Sequence, residues 1–204
     1  MQHTPVLRSV LVGCAAAALA TLAAAEPPRT GAAQRSVIGA GALGDTRGAV
    51  NVNVTAGRAN VQANAGAIAL HGGDGRVGVG QRTAAGASSE RARARIGAGA
   101  FRRARGWIAV NQSAGGGNAQ SNAMVIEIGI DGAALEDGEL ATVGTAQRNG
   151  PASPGTDDER SLEARIEPGA FRGAQGIVQV NQAAGSGNAT TNRFGLSVQR
   201  ATDP

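Results

Sequence analysis

The chain has no tyrosine, one tryptophan, three phenylalanines, one cysteine and two histidines in 204 residues. A single cysteine rules out an internal disulfide framework and a thiolate metal cluster. The lone downstream histidine, His71, has no sequence partner and lies beside a glycine turn, which reads as a surface position. No nucleophile–base pair or metal-ligand set is discernible, so no catalytic, cofactor or metal site is expected. Lysine is absent as well: all 19 basic residues are arginine, against 15 acids. That modest and scattered charge argues against specific nucleic-acid binding. Large apolar side chains, which stabilise an ordinary core by about 1.5–3 kcal/mol each, are scarce. Alanine, valine and 32 glycines take their place, so stability has to come from backbone ladders, stacking of like units or assembly.

The N-terminus reads as a targeting segment. Arg8 precedes a weakly apolar run from Val10 to Ala25, and Ala23-Ala24-Ala25 before Glu26-Pro27-Pro28 fits a small-residue cleavage site. The run is shorter than the roughly 20 residues that span a bilayer. A secretory leader cleaved after Ala25 is the expectation. Leu11-Val12-Gly13-Cys14 has the form of a lipoprotein box, which would instead make a lipidated Cys14 the mature N-terminus. Loss of Arg8 with the leader leaves a net charge of +3 and no cysteine.

Three segments align without a gap. They are IGAGALGDTRGAVNVNVTAGRANVQAN from Ile38, IGAGAFRRARGWIAVNQSAGGGNAQSN from Ile96 and IEPGAFRGAQGIVQVNQAAGSGNATTN from Ile166. Copies two and three are identical at 16 of 27 positions and copies one and two at 14, which exceeds what alanine and glycine bias produces. The chain divides into a leader (1–25), a lead (26–37), repeat one (38–70), a spacer (71–95), repeat two (96–130), a second spacer (131–165), repeat three (166–199) and a tail (200–204).

Within each copy a Gly-Ala-Leu/Phe segment leads through a turn into an alternating strand: Val50, Val52, Val54; Ile108, Val110, Gln112; Val178, Val180, Gln182. The strict period of two indicates β-structure. An Ala-Gly-x-x-Asn turn follows, with Gly57, Gly115, Gly117, Gly185 and Gly187 suited to positive φ. A second alternating strand comes next. The fold expected is all-β: three stacked strand–turn–strand repeats of β-solenoid or β-arch type with Greek-key-like layers.

The recurring amides are the candidate stacking residues. They are Asn53, Asn60, Gln62 and Asn64 in copy one; Asn111, Gln112, Asn118, Gln120 and Asn122 in copy two; and Asn181, Gln182, Asn188 and Asn192 in copy three. In strands stacked about 4.8 Å apart in register, each amide meets its counterpart above and below. Solvated turn residues would need no such matched offsets.

Outside the copies the signals are weaker. Gly72-Gly73-Asp74-Gly75 reads as a hairpin turn between Leu70 and Val77. Gln-Arg recurs as Gln34-Arg35, Gln81-Arg82, Gln147-Arg148 and Gln199-Arg200, which suggests a degenerate outer part of the unit. Gly39-x-Gly41 and Gly97-x-Gly99 resemble fragments of nucleotide-binding loops, but they recur inside the repeat and lack a strand–loop–helix setting. Asp157, Asp158 and Glu159 read as a solvated loop. Arg91, Arg93, Arg95, Arg102, Arg103 and Arg105 form the densest charge cluster, suited to an anionic polysaccharide or extracellular DNA, or to keeping the chain soluble before assembly.

At Val-Asn-Gln-x-Ala-Gly-x-Gly-Asn (Val110 to Asn118 and Val180 to Asn188) the sequence resembles bacterial functional amyloid subunits of the Fap type and, more distantly, curli subunits. Fap fibre subunits usually carry a Cys-x-Cys pair near the C-terminus, and this chain does not. The resemblance implies secretion, an outer-membrane exporter and a periplasmic chaperone, self-assembly with or without a second fibre subunit, and an extracellular fibre in biofilm matrix or surface attachment. It leaves main and nucleating roles equally open. The alternative is a non-fibrous cell-surface or periplasmic β-solenoid adhesin.

Overall fold

The computed structural model describes residues 33–70, 76–83, 91–129 and 161–199, with 140–146 as a backbone strand. The leader, Cys14, His71, the Gly72–Gly75 turn, Gln147-Arg148, the Asp157–Glu159 run, Arg200 and the tail lie outside the described residues.

The described residues form eleven strands and no helix. These are β1 (Gln34–Ile38), β2 (Arg47–Ala56), β3 (Val61–Leu70), β4 (Val77–Thr83), β5 (Arg91–Ile96), β6 (Arg105–Ala114), β7 (Ala119–Gly129), β8 (Leu140–Ala146), β9 (Ser161–Ile166), β10 (Gln175–Ala184) and β11 (Ala189–Gln199). No strand hydrogen-bonds to its sequence neighbour. The sheets are β1-β5-β9, β10-β6-β2, β11-β7-β3 and β4-β8, every pairing parallel. Each copy is therefore one rung of a stack, and copy two is the middle rung. Asn111 lies opposite Asn53 and Asn181, and Asn122 opposite Asn64 and Asn192.

Within a rung the chain folds back and forth through arches, so its strands meet by side chains. Two expectations change as a result. Strands β3 and β4 do not form the expected hairpin, because β3 pairs with β7 and β4 with β8. Axial pairing has already taken up the backbone groups a hairpin would use. The Gln-Arg recurrence does not mark equivalent positions either, since Gln81 lies opposite Gly144. The stretches between copies also contribute β4, β5, β8 and β9. The arginine-rich stretch is strand β5, with Arg91, Arg93 and Arg95 outward and Ala92, Ala94 and Ile96 buried.

The packing follows from the period of two. One face of the β2/β6/β10 sheet carries Val52, Ile108, Val110 and Val180 against Ile38, Ile96 and the first arch. The opposite face carries the asparagines toward the β3/β7/β11 sheet. The far side of that sheet packs Ala123 and Val125 on Val77 and Val79. Phe101 is fully buried and stacks on Phe171 with centroids 4.9 Å apart and rings 1° from parallel. Leu43 takes the third place in this column.

The first arch is a run of consecutive β-turns. Ala100 N–H donates to Gly97, Arg102 to Gly99 and Ala104 to Phe101, with positive φ at Gly99, Phe101 and Arg103. That is the signature of type II turns. The intervening amides reach other rungs, as Phe101 N–H to Ala42 O and Arg103 N–H to Arg172 O. Every peptide in the arch thus closes its own turn or joins two rungs.

In the second arch Gly115 has φ 122°, and a Cβ there would stand 1.8 Å from the Gly185 carbonyl oxygen, so only glycine fits. Two residues on, copies two and three have Gly117 (φ 68°) and Gly187 (φ 73°), whereas copy one has Ala59 at φ 55°. An L side chain costs about 1–2 kcal/mol in that region, part of which glycine's greater unfolded-state freedom offsets. Ala59→Gly is expected to stabilise the subunit by about 0.5–1 kcal/mol in urea denaturation, and Gly117→Ala to destabilise it by about 1 kcal/mol.

Candidate assembly interface

The asparagine positions converge on the seam between the β2/β6/β10 and β3/β7/β11 sheets. Asn111 Nδ2 donates to Asn53 Oδ1 (3.0 Å), Asn64 Oδ1 (2.9 Å) and the Ala63 carbonyl (2.8 Å). Asn181 Nδ2 donates in the same way to Asn111 Oδ1 (3.0 Å), Asn122 Oδ1 (3.1 Å) and the Ser121 carbonyl (2.8 Å). From the facing sheet, Asn122 Nδ2 reaches Asn64 Oδ1 (2.8 Å) and Asn111 Oδ1 (3.0 Å), and Asn192 Nδ2 reaches Asn122 and Asn181, both at 3.0 Å. Six amides thus form two interlocked columns running down the stack. The middle pair, Asn111 and Asn122, is fully buried.

A third column lies in the second arch. Asn118 Nδ2 donates to Asn60 Oδ1 (2.9 Å) and Asn188 Nδ2 to Asn118 Oδ1 (2.8 Å). The same oxygens accept the backbone N–H of Asn118 and Asn188 (3.0 Å each). This satisfies the turn amides of the fully buried Asn118 and the half-buried Asn188. The turn glycines Gly57, Gly115 and Gly185 stack beside this column with φ of 113°, 122° and 104°.

The glutamines divide. Gln182 Nε2 donates to Gln112 Oε1 (2.9 Å), and Gln112 Nε2 crosses to the Ser36 and Arg95 carbonyls (3.0 Å each), tying the first two sheets together. Val54 ends this column in copy one. Gln62 Nε2 donates to Gln120 Oε1 (2.7 Å), and Thr190 occupies the third place, its Oγ1 buried without a hydrogen-bond partner.

Sequence spacing did not flag Gln179, which accepts from Trp107 Nε1 (2.9 Å) and donates to the Ala123 carbonyl (3.0 Å). Its counterparts are Asn51 and Ala109, so no recurrence pointed to it. Charged pairs lie on the outside. Arg103 clasps Asp45 with two bonds (2.6 and 2.9 Å), Arg93 pairs with Glu163 (2.7 Å), and Glu167 takes both Arg95 (3.0 Å) and Arg165 (3.2 Å). The hydrogen bond from Arg103 holds the Asp45 carboxyl below its ordinary range. This clasp is complete above the ordinary carboxylate range and is lost only as pH falls below it.

Both ends of the stack are open. Copy one exposes the edges of β1, β2 and β3, and copy three those of β9, β10 and β11. At these ends Leu43, Leu162, Ile166 and Val178 are 40 to 52 % exposed, whereas Phe101, Ile96 and Ile108 in the middle rung are fully buried. Such edges are templates for a further strand.

Residues 16–199 match a family described as the functional amyloid protein FapB/FapC family. The chain belongs to that family. It is a family of amyloid subunits, and in this FapB/FapC member the three copies stack as parallel, in-register rungs. No solved structure matches the chain.

The columns predict a dependence on position. Asn111→Ala strands the buried amides of Asn122 and Asn181 and is expected to cost the subunit about 3 kcal/mol, whereas Asn53→Ala at the open end costs under about 1 kcal/mol. Paired urea titrations of the soluble chain check the difference.

Proposed function

We propose that this FapB/FapC-family chain is a secreted subunit that polymerises by placing the copy-one face of one molecule on the copy-three face of the next. The observation that carries the reading is that copies one and three share the register of copy two, yet each lacks a neighbour on one side. A second molecule in the same register continues every sheet. Such a joint is heterologous and does not close on itself, so it yields a filament.

Polarity supports this joint. The asparagine columns donate from copy three toward copy one, as in Asn181 to Asn111 to Asn53. Copy three therefore offers Asn188 and Asn192 oxygens outward, to meet amide donors of the neighbour. Thr190, whose hydroxyl lacks a partner within the subunit, comes to lie next to the neighbour's Gln62. Val178, Ile166 and Leu43 become covered.

An extracellular fibre contributing to biofilm matrix or surface attachment is the role that fits, reached through an outer-membrane exporter and a periplasmic chaperone. Copolymerisation with a second fibre subunit suits the same open faces. Main and nucleating subunits would use the same joint.

Fibres of the mature chain are expected to give a reflection near 4.8 Å. The joint itself is tested at Asn51. Gly115 N–H donates to Ala56 O, and strand alternation then points the Asn51 N–H outward from the copy-one face. Asn51→Pro removes that donor and thickens the edge without breaking an inter-rung bond. The variant is expected to keep the β-sheet circular dichroism of the soluble chain and to elongate at least about tenfold more slowly on wild-type seeds. Elongation at the wild-type rate would show that the copy-one face is not the joint.

A further inference from the structure

The described arginines are not evenly spread. Sheet β1-β5-β9, the first arches beside it and the first residues of β2 and β6 carry ten of them against three carboxylates, Asp45, Glu163 and Glu167, a net +7 in a chain whose total is +4. All three carboxylates are already engaged, by Arg103, by Arg93, and by Arg95 with Arg165. Arg102 and Arg172 in the arch, and Arg47 and Arg105 where it enters β2 and β6, are exposed and pair with no described carboxylate.

Stacking puts these four in rows. Arg47 lies opposite Arg105, and Gln175 is the third member of that row. Arg102 and Arg172 occupy the same place in copies two and three, with Gly44 in copy one. Each row thus has arginine on two adjacent rungs, separated by about the 4.8 Å strand spacing. The turn backbone that carries them is fixed by bonds within and between rungs.

We propose that this arch forms a ridge that binds an acidic polysaccharide lying along the stack axis. Guanidinium forks match carboxylates in two-point contacts, and a polyuronate presents one carboxylate on every sugar ring. The flexible polymer can follow a straight row that a rigid duplex, with its helical phosphate lines, meets only at intervals. The arch also lacks the exposed aromatic platforms that single-stranded nucleic acid stacks on, because Phe101 is fully buried and stacked on Phe171. This surface is complete within one subunit, so it does not depend on polymerisation.

The test uses the freshly purified, unpolymerised mature chain with fluorescent alginate, neutral dextran or duplex DNA at about 0.15 M salt. Alginate binding is expected, with none to dextran and weaker binding to DNA. The triple variant Arg102→Gln/Arg105→Gln/Arg172→Gln should lose about tenfold in alginate affinity and show a shallower salt dependence. A control triple, Arg58→Gln/Arg82→Gln/Arg193→Gln, removes the same charge elsewhere and should lose less than about threefold. Equal losses in the two triples, DNA bound as tightly as alginate, or no alginate binding by the wild-type chain would each overturn the proposal. Should the arch variant fold poorly, wild-type binding is competed with short uronate oligomers and with neutral oligomers. Displacement by the uronates alone is expected, and equal displacement by both would overturn the proposal.

Discussion

The parallel, in-register pairing of one copy with the next is the constraint on which the rest depends. It takes the backbone groups of every strand along the stack and leaves none for pairing within a copy. Strands of one copy can then meet only through side chains, which forces arches where hairpins would otherwise form. It also brings equivalent residues together, so each position is selected for how it packs against itself. Phe101 on Phe171, and Asn111 between Asn53 and Asn181, are the apolar and polar forms of one rule.

That rule explains how a chain with so few large side chains builds an interior. In the middle rung, asparagine and glutamine are as fully buried as isoleucine and valine, because each asparagine finds a donor above and an acceptor below, while Gln112 and Gln120 each accept from a neighbouring rung's glutamine and donate to backbone carbonyls. Buried amides of this kind rigidify a structure only when every member is satisfied. The rule also sets a cost at the ends. Leu43, Ile166, Val178 and Thr190 sit where the column stops, and a monomer leaves them half-covered or unpartnered. The same ladder that makes the middle rung stable makes the outer rungs incomplete, which links the fold to polymer growth.

Much of this was legible because the repeat is gap-free. Matched offsets identified the amide positions, the period of two gave strand faces, and glycine with asparagine marked the second arch. Other parts were hidden for physical reasons. Strands β1, β5 and β9 share little sequence, because their outward positions, such as Arg35, Arg93 and Glu163, are chosen for charge pairing rather than likeness. The residues between β3 and β4 are typical of a hairpin, and only the pairing of β4 with β8 shows that these two strands do not form one. The positive φ of Leu43, Phe101 and Phe171 had no signature in residue type. It is imposed by the run of turns that aims these side chains inward. Gln179 escaped notice because its partner is Trp107, which only copy two has.

The central claim is that molecules join copy three to copy one in register. Arg58 and Ser186 hold equivalent places in the second arch, at opposite ends of one subunit. In a joined pair they would face each other about 4.8 Å apart, within disulfide reach. Fibres grown from an equal mixture of Arg58→Cys and Ser186→Cys mature chains, then oxidised and mapped by mass spectrometry, test this directly. The account predicts a dominant crosslink between positions 58 and 186. Crosslinks joining 58 to 58 or 186 to 186, or fibres with no crosslink, would contradict it.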